Sequence, residues 1–266
     1  MEEYFYEYAL TLAQTSYTAH TAHIVYLPVF WTHLQNHPGF AKMRSNYQLL
    51  LDKALQPSDT RYFTVVQHDD GPQLRLPPGT IIYGACTGTI PLPLIYEDIT
   101  HRLSSQPRIP KDLLATFVGT ATTHPLRQAM VQALQDKPGI ICHSKQVWSP
   151  RVEEDAATIF IELTTRAKFC LAPRGYGRSS FRFFEAIQLD TIPVYVWDDV
   201  EWLPYQDRLR YSEFAVSISK KDIPRLYDIL QGISIEQYER MQQALQKIKH
   251  CFTLDYMCRY IIDTLS

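Results

Sequence analysis

The stretch Phe169-Cys170-Leu171-Ala172-Pro173-Arg174-Gly175-Tyr176-Gly177-Arg178-Ser179-Ser180-Phe181-Arg182-Phe183-Phe184-Glu185-Ala186-Ile187 reads as a buried strand, a glycine-containing loop and the start of a helix. In an open α/β sheet, ligands sit beyond the carboxyl ends of the strands. There a helix N-terminus offers unpaired amides and the positive end of its dipole. Gly175 and Gly177, flanking Tyr176, let the backbone approach a ligand closely, and Ser179 or Ser180 can cap the helix. Arg174, Arg178 and Arg182 surround the spot with positive charge, which suits a pyrophosphate. Glu185 lies one helical turn beyond Arg182, so its carboxylate can accept from a ribose diol while the guanidinium meets phosphate or base. A surface Arg–Glu pair beside an ordinary turn satisfies the same spacing.

Working outward, strands are expected at Leu114–Gly119, Gly139–His143, Lys168–Ala172, Ile192–Trp197 and Phe214–Ile218. Helical periodicity fills Pro125–Gln135, Glu153–Ala167, Ser179–Leu189 and Asp222–Leu230, the alternation of a doubly wound parallel sheet. Toward the N-terminus, His23–Leu27, Tyr62–Val66 and Thr80–Ala85 read as further strands, and Phe40–Ala54 as a helix. Prolines punctuate residues 91–110, where lost donors and fixed φ argue against regular structure. The domain link is placed there: residues 1–108 form an N-terminal α/β domain, and residues 109–250 a nucleotide-binding domain. Residues 251–266 form a helix crossing back to the first domain, with Tyr256, Tyr260 and Ile261 on one face.

A chain of 266 residues with 45 % hydrophobic content can bury such a pair of cores. A formal net charge of −2 supplies no field for nucleic acid or an anionic membrane, so neither is expected as a partner. Cys86, Cys142, Cys170, Cys251 and Cys258 contain no Cys-x-x-Cys pair and fit a reducing compartment. The acidic start Met1-Glu2-Glu3 and the lack of a long apolar run lead to a cytoplasmic expectation.

The quoted stretch, followed by Leu189-Asp190-Thr191-Ile192-Pro193-Val194, resembles the exostosin signature of family 47 glycosyltransferases. In that signature Cys-Leu-x-Pro leads to Gly-Tyr, Arg-x-x-Glu-Ala and Ile-Pro-Val. Leu114-Ala115-Thr116-Phe117-Val118-Gly119, with Arg127 eight residues later, is similar to the family's Phe-x-Gly strand and its following arginine. Tyr62 through Gly71 resembles the strand that ends in His-Asp. The resemblance implies a GT-B architecture of two Rossmann-like domains facing a cleft, and inverting transfer from a UDP-sugar to a carbohydrate acceptor. It carries over the donor site to Gly119, Arg127, the loop Arg174–Ser180, Arg182 and Glu185; Arg127 and Arg182 can alternatively tie strands to helices. Two positions depart from the family pattern: Arg178, where an acidic residue is common, and Asp190, in a turn commonly given to glycine.

Inverting transfer requires a base for the acceptor hydroxyl. By the His-Asp match this is Asp69, with His68 as backup. An Asp-Asp-Gly turn capping its own backbone explains the same residues. Asp69-Asp70 and Asp198-Asp199 are adjacent pairs, and neighbouring strand residues point to opposite faces. The histidines show no helical ligand spacing. No metal and no cofactor are therefore expected, the arginines and helix dipole substituting for an ion. Tyr195, Trp197 and Trp202 can form an acceptor platform or, for Tyr195, core. Xylose is the first expectation for the donor sugar, and a non-catalytic exostosin-like subunit is the alternative function. The absence of Gly-x-Gly-x-x-Gly after any strand argues against a dinucleotide oxidoreductase.

Overall fold

The structure, a computed structural model, describes residues 1–15, 24–55, 60–95, 109–145 and 154–265. Its elements begin with α1 (Glu2–Thr15), β1 (Ile24–Tyr26), α2 (Trp31–Asn36), α3 (Phe40–Ala54), β2 (Arg61–Val66), β3 (Ile81–Gly84) and β4 (Ile90–Pro91). They continue with β5 (Leu113–Thr120), α4 (Pro125–Leu134), β6 (Ile140–Lys145), α5 (Glu154–Arg166), β7 (Ala167–Pro173), α6 (Phe181–Gln188) and β8 (Ile192–Trp197). The chain closes with β9 (Val216–Ser219), α7 (Leu226–Gln231), α8 (Ile235–Ile248) and α9 (Leu254–Leu265). Parallel sheets are covered on both faces, so their strands read as unbroken apolar runs. Accordingly, β2 is buried at every position after Arg61, and β7 at every position except Lys168.

Two units divide the chain: Met1–Glu97 with Leu254–Ser266, and Asp98–Thr253. The expected boundaries were 108/109 and 250/251, and most of the proline-punctuated passage lies outside the described residues. In the first unit the order is β1-β2-β3-β4, all parallel. In this unit residues 67–80 and 85–89 join strands without a helix of their own. The 85–89 turn is tight enough that a Cβ on Gly84 would lie 1.7 Å from the Thr87 carbonyl oxygen. Helices α1 and α9 supply the missing cover. The buried Glu2 carboxylate accepts from the Thr32 amide at 3.1 Å and the Gln67 amide at 2.7 Å, and the Tyr83 hydroxyl pairs with that of Thr264 at 2.8 Å. In the core the Trp31 indole donates to Thr64 Oγ1, whose hydroxyl donates to the Leu27 carbonyl.

In the second unit the sheet order is β6-β5-β7-β8-β9, all parallel. Counted within the unit this is 2-1-3-4-5, a doubly wound order with its switch point between the first and third strands, β5 and β7. Val118, Phe160, Cys170, Ala186 and Leu189 pack one side of this sheet. Here the expected elements recur with shifted ends. Phe214 does not begin a strand; it is buried against Tyr211 and Phe252, so its apolar character serves an aromatic cluster before β9. The expected helix over 222–230 starts as a 3-10 turn, because Pro224 has no amide to donate, and becomes α-helical at Leu226.

Candidate functional site at the sheet switch point

Strands β5 and β7 leave the second sheet side by side, and their backbones diverge beyond it. Arg127, on α4, bridges the gap. Its Nε donates to the Arg174 carbonyl at 2.9 Å, and its terminal nitrogens donate to the carbonyls of Thr120 at 3.0 Å and Pro173 at 3.2 Å. Helix α4 is held in register by Pro125 at its first position and by His124, whose Nδ1 accepts from the Leu126 amide at 3.2 Å. The guanidinium explains the glycine beside it: a Cβ on Gly175 would lie 3.1 Å from Arg127. Gly119 likewise faces the Phe117 ring and Arg127. Of the two expectations for Arg127, donor contact and tying strands together, the described contacts are those of the tie.

In the loop 174–180 the arginine charge expected from the sequence is met by carboxylates. Arg174 donates from one terminal nitrogen to both Asp198 and Asp199, each at 2.9 Å, and from the other to the Tyr176 carbonyl at 3.1 Å. Arg178 Nε donates to the second oxygen of Asp199 at 2.8 Å. The two aspartates converge because they stand just past the end of β8, where strand alternation no longer applies; the opposite-face expectation for them is corrected. His124 Nε2 lies 3.6 Å from Asp198. Burial, and then Arg174, lowers the affinity of His124 for a proton, so the ring is mostly neutral at neutral pH. For Asp199, burial works toward a raised pKa, but the hydrogen bonds from Arg178 and the Val200 amide and the nearby arginine charges outweigh it. The carboxyl stays below its ordinary value. Two guanidiniums and two carboxylates thus compensate one another along the carboxyl edge.

Behind the loop, the Tyr195 hydroxyl donates to the Arg178 carbonyl at 2.7 Å and accepts from the Trp202 amide at 3.2 Å. Tyr195 and Trp202 are buried, which removes them from the acceptor platform; the Trp197 indole donates to Ser217 Oγ. Tyr176 is the loop's exposed aromatic. Ser179 and Ser180 are buried, and Ser180 occupies the N-cap position of α6 without a side-chain capping bond, a correction to the expected cap. In the first turn of α6, Arg182 donates to the Val118 carbonyl at 2.9 Å and to Glu185 Oε2 at 2.6 Å, with its guanidinium 4.5 Å from the Phe160 ring centroid. Glu185 is buried, so this is an interior ion pair tying α6 to β5 rather than a surface one.

In the first unit, β2 runs into a turn in which the Gly71 amide donates to the His68 carbonyl at 3.1 Å and the Asp70 amide to His68 Nδ1 at 3.2 Å. Asp69 is exposed, and its Oδ1 accepts from the Cys86 thiol at 3.4 Å, across the exits of β2 and β3. A turn is therefore formed at Asp-Asp-Gly, but the side chain that caps it is that of His68 rather than an aspartate, and the Asp69 carboxylate stands clear of it.

Sequence reasoning missed His124, Asp198 and Asp199 as partners of the loop. The available signal was position: each follows a strand of the second sheet at the same edge as Arg174. Among the described residues no three His, Cys, Asp or Glu side chains gather as metal ligands, and no helix is long and apolar enough to cross a membrane. None of the five cysteines forms a disulfide.

Residues 85–233 match the exostosin GT47 domain, a span that holds every candidate of the second unit and stops short of His68 and Asp69. A probable glycosyltransferase of Arabidopsis thaliana is 31 % identical over 145 residues, covering 54 % of this chain and 26 % of that protein. The probable β-1,4-xylosyltransferase IRX10 of Arabidopsis thaliana is 37 % identical over 94 residues, covering 35 % and 23 %. A probable glucuronosyltransferase of Oryza sativa subsp. japonica is 35 % identical over 94 residues, covering 35 % and 22 %. The matches thus cover about a quarter of the length of these curated relatives. Among solved structures, the pneumococcal O-GlcNAc transferase GtfA in complex with UDP and GlcNAc has a TM-score of 0.42 at 15 % identity, covering 83 % of this chain and 46 % of that one. WaaG, a glycosyltransferase involved in lipopolysaccharide biosynthesis, has a TM-score of 0.42 at 12 % identity, covering 98 % and 81 %. With a domain match over more than half of its residues, set on a parallel α/β frame, the chain belongs to the exostosin GT47 family.

Proposed function

We propose that this chain transfers a sugar, xylose in the first instance, from a UDP-sugar to a hydroxyl of a glycan, with inversion and without a metal ion. The observation that carries the reading is the position of the GT47 loop. It leaves β7 at the topological switch point, beside the N-terminus of α6, where the Ser180 side chain makes no capping bond. An anionic leaving group is met there by backbone donors, the helix dipole and Arg178. Glu185, held by Arg182 within α6, is the proposed ribose contact.

In the proposed step the acceptor oxygen bonds to the anomeric carbon and its proton passes to a base. The bond from that carbon to the β-phosphate oxygen breaks, and its electron pair departs with UDP. Asp69 is the proposed base and His68 the second choice. General-base assistance contributes about 10²–10⁴-fold, so Asp69→Asn is expected to lower transfer by about that factor while UDP binding persists.

Thermal-shift titration of the protein with UDP, GDP, NAD and a panel of UDP-sugars, with EDTA and with added Mn²⁺, tests the reading. A rise selective for UDP and one UDP-sugar that survives EDTA is expected. Stabilisation by no uridine nucleotide would overturn donor binding. Normal turnover in Asp69→Asn would remove that residue as the base.

A further inference from the structure

The ion pairs at the switch point are of two kinds. Arg174 is only 12 % exposed, and its side chain is held by two carboxylates and the Tyr176 carbonyl. Arg178 is 30 % exposed, and its side chain meets Asp199, itself 41 % exposed, through Nε at 2.8 Å. Breaking the first kind strips charge partners from a mostly buried guanidinium, whereas an exposed pair contributes little to stability and exchanges readily. The Arg178 backbone is fixed, because its carbonyl accepts from the buried Tyr195 hydroxyl. Only the side chain needs to turn for the guanidinium to change partner.

From this asymmetry, and resting on the donor reading above, we infer that Asp199 is a built-in counter-anion that Arg178 exchanges for the donor diphosphate, while Arg174 stays locked. Asp199 is then a positioning residue that sets how tightly the nucleotide is held. It keeps Arg178 at the edge of the sheet when no phosphate is bound, and competes with phosphate when one arrives. Each terminal carboxylate oxygen has its own task. Oδ2 faces Arg178; Oδ1 accepts from the Val200 amide at 2.7 Å and from Arg174. An asparagine at this position keeps an oxygen for Val200 and loses the charge that competes with phosphate. A bidentate guanidinium–phosphate contact is stronger than the Nε–carboxylate bond to Asp199 in water, which gives the exchange its direction.

Isothermal titration with inorganic pyrophosphate and with UDP, on wild type, Asp199→Asn, Arg178→Gln and the double variant, tests this. Asp199→Asn is expected to tighten both ligands about threefold to fivefold, the scale of removing one exposed ionic competitor. Arg178→Gln is expected to weaken both, and the gain from Asp199→Asn is expected to fall below about twofold in that background. Asp199→Ser, which also caps the Val200 amide, repeats the test should the asparagine variant fold poorly. If Asp199→Asn binds no tighter than wild type, or its gain persists without Arg178, the exchange is wrong while the donor reading stands. If neither wild type nor Asp199→Asn binds pyrophosphate or UDP, both fall. A purely structural role for Asp199 predicts a loss of affinity, so a gain separates the two.

Discussion

The turn that leaves β2 and the loop that leaves β7 use the same kinds of residue, acids and basic side chains beside glycine past a buried parallel strand, and satisfy them in opposite ways. At β2 the partners are local: His68 receives the amides of Asp70 and Gly71, and Asp69 reaches only to the neighbouring strand exit at Cys86. At β7 the partners come from two other strand exits, with Arg127 and His124 following β5 and Asp198 and Asp199 following β8. A local network is reassembled by any chain that makes the turn. A cross-strand network exists only once the sheet has formed, so it reports on the fold and costs more when broken.

That contrast is broken most directly by the same acid-to-alanine change at both junctions. Glu185→Ala leaves the partly buried Arg182 without its carboxylate and is expected to lower unfolding stability by about 3 kcal/mol; Asp69→Ala, on an exposed side chain, is expected to cost at most about 0.5 kcal/mol. Urea unfolding reads both. Equal losses would mean that the α6 pair is no more structural than the β2 turn. Glu185→Gln, which keeps an acceptor for Arg182, separates stability from any effect on nucleotide binding.

Next in size is Arg127→Ala, which removes a charged donor from three carbonyls at the switch point and is expected to cost about 2 kcal/mol. Arg127→Lys should recover little, since one ammonium cannot span the groups that a planar fork reaches. A full rescue by lysine, seen as a restored midpoint, would show that charge rather than geometry joins the two strand exits.

The same contrast explains what was legible in the sequence. Helix Phe40–Ala54 and strand Ile192–Trp197 have the limits their patterns dictate, because apolar periodicity records burial against a neighbour whatever that neighbour is. The glycine loop and the Arg182–Glu185 spacing were likewise visible, since both are local. The convergence of Asp198 and Asp199 on Arg174 was not, nor was the use of Gly175 to admit Arg127. Each depends on which strands become neighbours, and a single sequence does not state that the β5 exit lies beside the β7 exit. Helix α1 was missed for a related reason: its place is fixed by Glu2 receiving the amides of Thr32 and Gln67, contacts distant in sequence.

The smallest effect sharpens the comparison from the side of pH. Asp199 holds its proton less tightly in the fold than the ordinary carboxyl of an unfolded chain, because the Arg178 and Val200 hydrogen bonds and the arginine charges outweigh its partial burial. A depressed carboxyl pKa adds stability that is fully present above the unfolded value near 3.8 and is lost as pH falls through the lower folded value. Asp199→Asn should therefore leave the neutral-pH melting temperature almost unchanged and remove a small part of the stability loss in the window below about pH 4. A large fall in melting temperature at pH 7 would instead place Asp199 with Arg174 and Glu185 among the locked groups. Its bond to Arg178 could then not be the one that yields to a phosphate.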